Sequence, residues 1–177
     1  MTEYVLQRLG PMSATKLEKR VYYCQAWSLA LGRRPLFPER VEAWRDGPVV
    51  PLLFQRHRGR FVVTAGEVGG DAATLDPKAR STVEAVIDGY GAFGAEELST
   101  MAHEEEPWRA ARRGLSDREV SHQEVTQASM ALHYAQLVPT PVGGSSKFYL
   151  RSLLSKVTPE NLHGEVSTGV TVGRENW

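Results

Sequence analysis

Apolar residues recur at spacings of three and four from Leu17 through Val21, Cys24, Trp27 and Leu31. That period lays them along one face of a helix. Thr15 and Glu18 have the spacing of a capping box, which predicts where this helix starts. Gly32 offers a left-handed C-terminal residue and Pro35 bars continuation, so the predicted helix runs from Thr15 to Leu31. Asp46-Gly47-Pro48 reads as a turn, and Pro48 or Pro51 opens a short helix carrying Leu52, Leu53 and Phe54. The β-branched and aromatic run Phe61-Val62-Val63-Thr64 predicts a short strand, and Gly66, Gly69 and Gly70 a loop. Asp76-Pro77 begins a helix whose apolar face is Val83, Val86, Ile87 and Tyr90 and which Gly91 ends. A shorter helix over Glu96–Ala102 buries Leu98, Met101 and Ala102, and Pro107 opens another that carries Trp108.

Two overlapping capping boxes follow, Ser116 with Glu119 and Ser121 with Glu124. The second is better placed, because Val125, Ala128, Leu132 and Ala135 follow it at helical spacing. It predicts a helix over His122–Leu137 with those residues inward. The pattern then breaks. Pro139 to Ser146 is a linker by composition. Beyond it Leu150, Leu153, Leu154 and Val157 share one helical face. From Thr158 to Trp177 no period survives. The chain therefore divides into a folded part over 1–138, a linker over 139–147 and a tail over 148–177.

Composition narrows the function classes. The 177 residues carry 21 Lys+Arg and 21 Asp+Glu, a formal net charge of zero. That balance argues against binding nucleic acid through the bulk field of the chain. The apolar stretches are far shorter than the ~20 residues of a membrane span. Neither a membrane partner nor a targeting segment is expected, and a cytoplasmic location is the default. The single cysteine, Cys24, excludes an internal disulfide and lies on the apolar stripe, which marks it as a buried structural thiol.

Local catalytic patterns are missing. His103-Glu104 resembles the first half of the zinc-protease pattern H-E-x-x-H, but Pro107 stands where the second histidine belongs. The remaining histidines, His57, His122, His133 and His163, show no ligand spacing. No metal, no cofactor and no enzyme activity are expected. The basic cluster Arg56, His57, Arg58 and Arg60 reads as a solvated helix end in preference to a phosphate site, and Glu104 to Glu106 as a solvated acidic face.

The stretch KLEKRVYYCQAWSLALGRRPLFPERVEAWRDGPVVPLLF, together with Leu98-Ser99, His103, Glu106-Pro107-Trp108 and Ala110, resembles the signature of the Panacea domain, the SocA-like antitoxin family. The resemblance spans residues 14–137, with Tyr23, Gln25, Trp27, Trp44, Gly47, Pro48, Pro51, His103, Pro107 and Trp108 as its motif residues. It implies a mainly α fold: a compact helical domain with a small β element, here followed by a short C-terminal helix and an extended tail. It also implies neutralisation of a partner toxin, or presentation of a toxin to a housekeeping protease as an adaptor.

The stretch YLRSLLSKVTPENLHGEVSTGVTVGRENW is similar to the C-terminal tail of MazE-type antitoxins, centred on Thr158 to His163 and the terminal Trp177. In that family the tail wraps a dimeric MazF endoribonuclease and covers its RNA site. The similarity implies partner contacts from Leu150, Leu153, Leu154, Val157, Pro159, Asn161, Leu162, His163, Val166 and Trp177. The helical face suits a groove, and Trp177 suits an aromatic pocket. Positions 141–177 hold four Lys+Arg against three Asp+Glu, so apolar anchors and steric cover are expected to outweigh mimicry of RNA charge. The expectation is an antitoxin whose tail neutralises a MazF-like endoribonuclease. The alternatives are neutralisation of a different toxin, such as an alarmone-synthetase-like one, by the Panacea-like domain itself, and proteolytic adaptation. DNA binding is left open.

Overall fold

Helix α1 (Thr2–Leu9) buries Val5 and Leu6 and ends at Gly10, whose N–H donates to the Leu6 carbonyl at 2.9 Å and whose φ of 74° turns the following chain out of the helix. The computed structural model describes residues 1–32, 34–116 and 119–138. Strand β1 (Met12–Ser13) leads directly into the central helix α2 (Ala14–Gly32). The expected Thr15–Glu18 capping box does not form. Ser13 Oγ accepts from the Lys16 amide at 3.3 Å instead, which frees Glu18 to turn inward. Gly32 is the last residue of α2 and has no left-handed φ.

The apolar stripe of α2 is buried as its period predicts, with Leu31 only half-buried at the end. The opposite side is buried too. Glu18, Lys19, Arg20, Gln25 and Ser28 all lie inside, because packed elements surround α2. A helix enclosed on all sides is normally apolar all round. Here each inward polar side chain hydrogen-bonds another segment instead, which offsets the cost of burial.

Strands β2 (Val41–Trp44) and β3 (Gly47–Val49) form a hairpin closed by Arg45-Asp46, pairing Glu42 with Val49, Ala43 with Pro48 and Trp44 with Gly47. Pro48 thus sits in a strand, and Pro51 is the proline that opens helix α3 (Pro51–His57). Strand β4 (Val62–Val63) pairs antiparallel with β1, Met12 opposite Val63 and Ser13 opposite Val62. A short 3-10 turn (Ala72–Thr74) precedes helix α4 (Pro77–Tyr90). Asp76 caps α4 by accepting from the Lys78 and Ala79 amides at 2.9 and 3.0 Å. The expected face of α4 is buried: Val83, Val86, Ile87 and Tyr90, joined by Ala79. Helix α5 (Ala95–Glu104) buries Leu98, Met101 and Ala102 as read from the sequence, and helix α6 (Glu106–Ala111) carries Pro107 and Trp108 inward.

The segment after Arg112 departs from expectation. Residues 122–125 are not helical. Glu124 and Val125 form strand β5, which pairs antiparallel with β2, so the second sheet runs β3-β2-β5. Helix α7 (Gln127–Leu137) starts five residues later than predicted, capped by Thr126 Oγ1 accepting from the Ser129 amide at 3.1 Å. Its inward residues are Met130 and Tyr134; Ala128, Leu132 and Ala135 face solvent. The predicted stripe was thus on the wrong side. Once Val125 joins a strand it no longer sets the helical phase, and the large Met130 and Tyr134 occupy the space beside α2.

The fold is mainly α with two small sheets. No helix among the described residues is long and apolar enough to cross a membrane. The linker over 139–147 and the tail over 148–177, with all ten expected partner contacts, lie outside the described residues.

Candidate functional site

The motif residues converge on two internal assemblies and one surface groove. The first assembly seats the β2–β3 hairpin. Glu18 accepts from the Val50 amide at 2.9 Å and pairs with His57 Nε2 at 2.7 Å, both side chains at most 4% exposed. His57 therefore belongs to the interior, where the sequence reading placed it in a solvated basic cluster. Next to Glu18, Lys19 reaches the Pro48 carbonyl at 3.2 Å. Its burial depresses the ammonium pKa to about 8. Gly47, at φ 103°, leaves the room this lysine fills: a Cβ at position 47 would lie 2.6 Å from Lys19 Cε. Only glycine meets both demands at low cost.

Helix α6 ties down the hairpin's other side. Trp108 Nε1 donates to the Trp44 carbonyl at 3.0 Å. One turn later Arg112 donates to the Ala43 carbonyl at 3.1 Å and to the Ser116 and Glu119 carbonyls at 2.8 Å. The Arg112 guanidinium also lies 5.0 Å from the centroid of the Trp108 ring. Arg112, just past the end of α6, went unread in the sequence, although its spacing of four from Trp108 is a signal for such stacking. His103 stacks on Trp108, ring centroids 4.3 Å apart. On the strand itself the Trp44 indole donates to Glu42 at 2.7 Å, and His122 and Arg40 also meet that carboxylate. Burial opposes ionisation of Glu42, but these three partners together hold its pKa below the ordinary value.

The second assembly is aromatic. Tyr23 stacks on Tyr90 at 4.3 Å, and the Trp27 indole donates to the Tyr90 hydroxyl at 3.1 Å. Tyr134 from α7 meets Trp27 edge-on at 5.1 Å. The Tyr22 and Tyr134 hydroxyls both donate to Glu105, at 3.2 and 2.5 Å. Glu105, at the α5–α6 junction, keeps some exposure as a residue, but its carboxylate faces wholly buried phenols. Desolvation raises its pKa to about 7 despite the donated hydrogen bonds. Glu105 was expected in a solvated acidic run.

Gln25 connects these assemblies to the surface. Its amide accepts from the Leu36 backbone at 2.7 Å and donates to the Phe37 carbonyl at 2.9 Å. The 36–39 loop is thereby held open over α3. Between them lies a cavity of about 180 Å³, lined by Val21, Leu36, Phe37, Val50, Leu53 and Val68, with Leu52, Glu39 and Arg56 also on its wall. Leu52 is 40% exposed. A second hollow shares Glu39 and Leu52 and continues past Pro51 and Gln55. Tyr23, Gln25, Trp27, Gly47, Pro48, Pro107 and Trp108 are thus buried, and an accessible groove with apolar and charged residues on its wall opens beside the helix that Pro51 starts.

The chemistry of these groups suits holding a shape. The Glu18–His57 pair is sealed, and Cys24 is buried with its thiol pushed up to about 12 by desolvation. Among the described residues no group of three or more His, Cys, Asp or Glu is arranged to hold a metal ion.

The family described as antitoxin SocA-like, Panacea domain, matches residues 17–109. That is more than half of the chain, and the protein belongs to this family. The matched span contains the hairpin contacts of Glu18, Lys19 and Trp108 and most of the groove lining, while Arg112, His122 and the groove residues Met1 and Thr2 lie outside it. No curated protein and no solved structure matches the chain. Membership carries the general role of an antitoxin, with a cognate toxin as its protein partner.

Proposed function

We propose that the protein neutralises a MazF-like endoribonuclease dimer and does so with its C-terminal tail. The folded domain then serves as the platform from which the tail extends. Family membership over 17–109 supports the antitoxin role. The run Thr158 to His163 and the terminal Trp177 support the choice of target. From Val157 the chain holds twenty further residues, which reach ~65–70 Å when extended, ample to cross a small toxin dimer. Leu150, Leu153, Leu154 and Val157 would fill a groove, with Leu162, Val166 and Trp177 in separate pockets, and Pro159, Asn161 and His163 would add further partner contacts. Covering the RNA path in this way needs no enzyme activity from the antitoxin.

The groove beside α3 favours a second reading, in which the folded domain itself grips a different toxin, such as an alarmone-synthetase-like one. Its apolar wall with Glu39 and Arg56 beside it suits an apolar side chain flanked by polar groups.

Truncation separates the two readings. A chain ending at Val142 is expected to fold but to lose both binding of the toxin and rescue of cells expressing it. Full rescue by the truncated chain would overturn the tail reading. Leu52→Glu is then expected to abolish that rescue if the groove is the toxin's seat. Rescue that disappears when a housekeeping protease is removed would identify an adaptor in place of a steric inhibitor.

A further inference from the structure

Helix α7 is uncharged on all sides. Between Glu124 and Lys147 there is no Asp, Glu, Lys or Arg, in a chain that is 24% charged. Its inner side packs on α2 through Met130 and Tyr134. Its outer side presents Ala128, Leu132, Ala135 and Leu137 to solvent, with Leu132 67% and Leu137 46% exposed. A helix that is apolar on both faces is normally covered on both.

What covers it is constrained by size. Eleven residues make a helix ~16 Å long and ~10 Å wide, so its outer face offers far less than the ~800 Å² that each side contributes to a standard interface. A free partner or a second copy gains too little there alone. A segment tethered nearby needs much less, because tethering raises its effective concentration to the millimolar range.

Such a segment follows α7 in the chain. After Val138, the nine residues 139–147 span up to ~30 Å, about twice the length of α7, enough for the next segment to turn back along it. That segment is amphipathic in sequence from Leu150 to Val157. Leu150, Leu153, Leu154 and Val157 fall on one side of a helical projection, and Arg151, Ser152, Ser155 and Lys156 on the other. It carries the solvent-facing charge that α7 lacks. The small Ala128 and Ala135 on either side of Leu132 permit a close approach of two helices.

We infer that the outer face of α7 is the docking surface for residues 148–157 of the same chain. The inference concerns the free protein and stands whether or not the tail is what grips the toxin. If the tail does grip it, α7 and the toxin compete for the same four apolar side chains.

The test uses the full-length chain without toxin. In hydrogen exchange, amides of 148–157 are expected to be protected, and Leu132→Lys to remove that protection while leaving α2 unchanged. Protection that Leu132→Lys does not alter, or none in the parent chain, overturns the inference. A second measurement pairs Leu132→Cys with Leu153→Cys, the native Cys24 being buried and out of competition. An intramolecular disulfide is expected at least tenfold faster than for Phe61→Cys with Leu153→Cys, since Phe61 is more accessible than Leu132 but not on α7. Equal rates overturn the inference, and so does a product that is a covalent dimer, which would give the face to a second copy.

Discussion

At Glu105 the protein keeps a carboxyl group among phenols, with its pKa raised from 4.5 to about 7 by burial. The group binds its proton more tightly when folded than when unfolded. Between the two values the folded state holds more protons, so stability falls as pH rises from about 4.5 to 7 and is regained on acidification. Glu105→Gln is expected to flatten this dependence, measured as the difference in urea midpoint between pH 5 and pH 7.5. Converted to free energy, the wild-type difference is expected to exceed the variant's by about 2 kcal/mol. Equal differences would refute the assignment. Gly47 gives a second prediction at this scale. Gly47→Ala forces a side chain into a left-handed backbone and against Lys19 Cε, so a loss of about 1–3 kcal/mol is expected from the denaturation midpoint. The need for glycine after Asp46 was visible in the sequence as a turn. The lysine it makes room for was not, because Lys19 and Gly47 belong to separate elements.

Among the elements, the β2–β3 hairpin shows how polar residues on α2 build a surface they do not join. Glu18 holds Val50, the residue that leads into α3, and α3 forms one side of the groove. Glu18→Ala strands a buried amide and a buried imidazole, with an expected cost of about 2–4 kcal/mol. Amide exchange in α3 is expected to accelerate more than in α4, since α4 rests on other contacts. Helix α7 makes the opposite point. Met130→Ala is expected to cost about 2–4 kcal/mol in chemical denaturation, whereas Leu132→Ala in a chain ending at Val142 costs under about 0.5 kcal/mol. The reverse ranking would mean that the stripe read from the sequence is the buried one. Element by element, α4 was legible because its cap and apolar period agree, and α5 from its apolar period alone. Strand β5 was not, because its partner β2 lies some 80 residues earlier and local pattern favoured a helix. Helix α1 was missed because its short apolar pair, Val5 and Leu6, gains its burial only from the rest of the fold.

For the whole molecule, zero net charge conceals an uneven distribution. Charged side chains are used inside, as struts around α2, while α7 and the chain after it run without charge as far as Lys147. Salt is therefore expected to have little effect on overall stability, since the charged contacts that matter are shielded from it and the exposed ion pairs contribute little. A midpoint that shifts steeply between 50 and 500 mM salt would contradict this. Of the candidate site, the sequence displayed the motif residues but not their direction. Tyr23, Gln25, Trp27 and Trp108 are buried supports, whereas the groove is lined by Leu36 and Leu52 from the same stretch and by Val68 from beyond it.

The sequence by itself determined the helical class, the starts of α4 and α6 at their prolines, the burial of Cys24 and the membership of an antitoxin family. Each rests on local signals: caps, proline geometry, apolar period and a run of uncommon residues. Tertiary structure decided the pairing of β2 with β5, the burial of Glu18, Lys19 and Glu105, and which side of α7 faces water. Those outcomes depend on what packs against a residue from far along the chain, and periodicity carries no information about that. It specifies that a helix has two sides, and only the neighbours decide which one is inside.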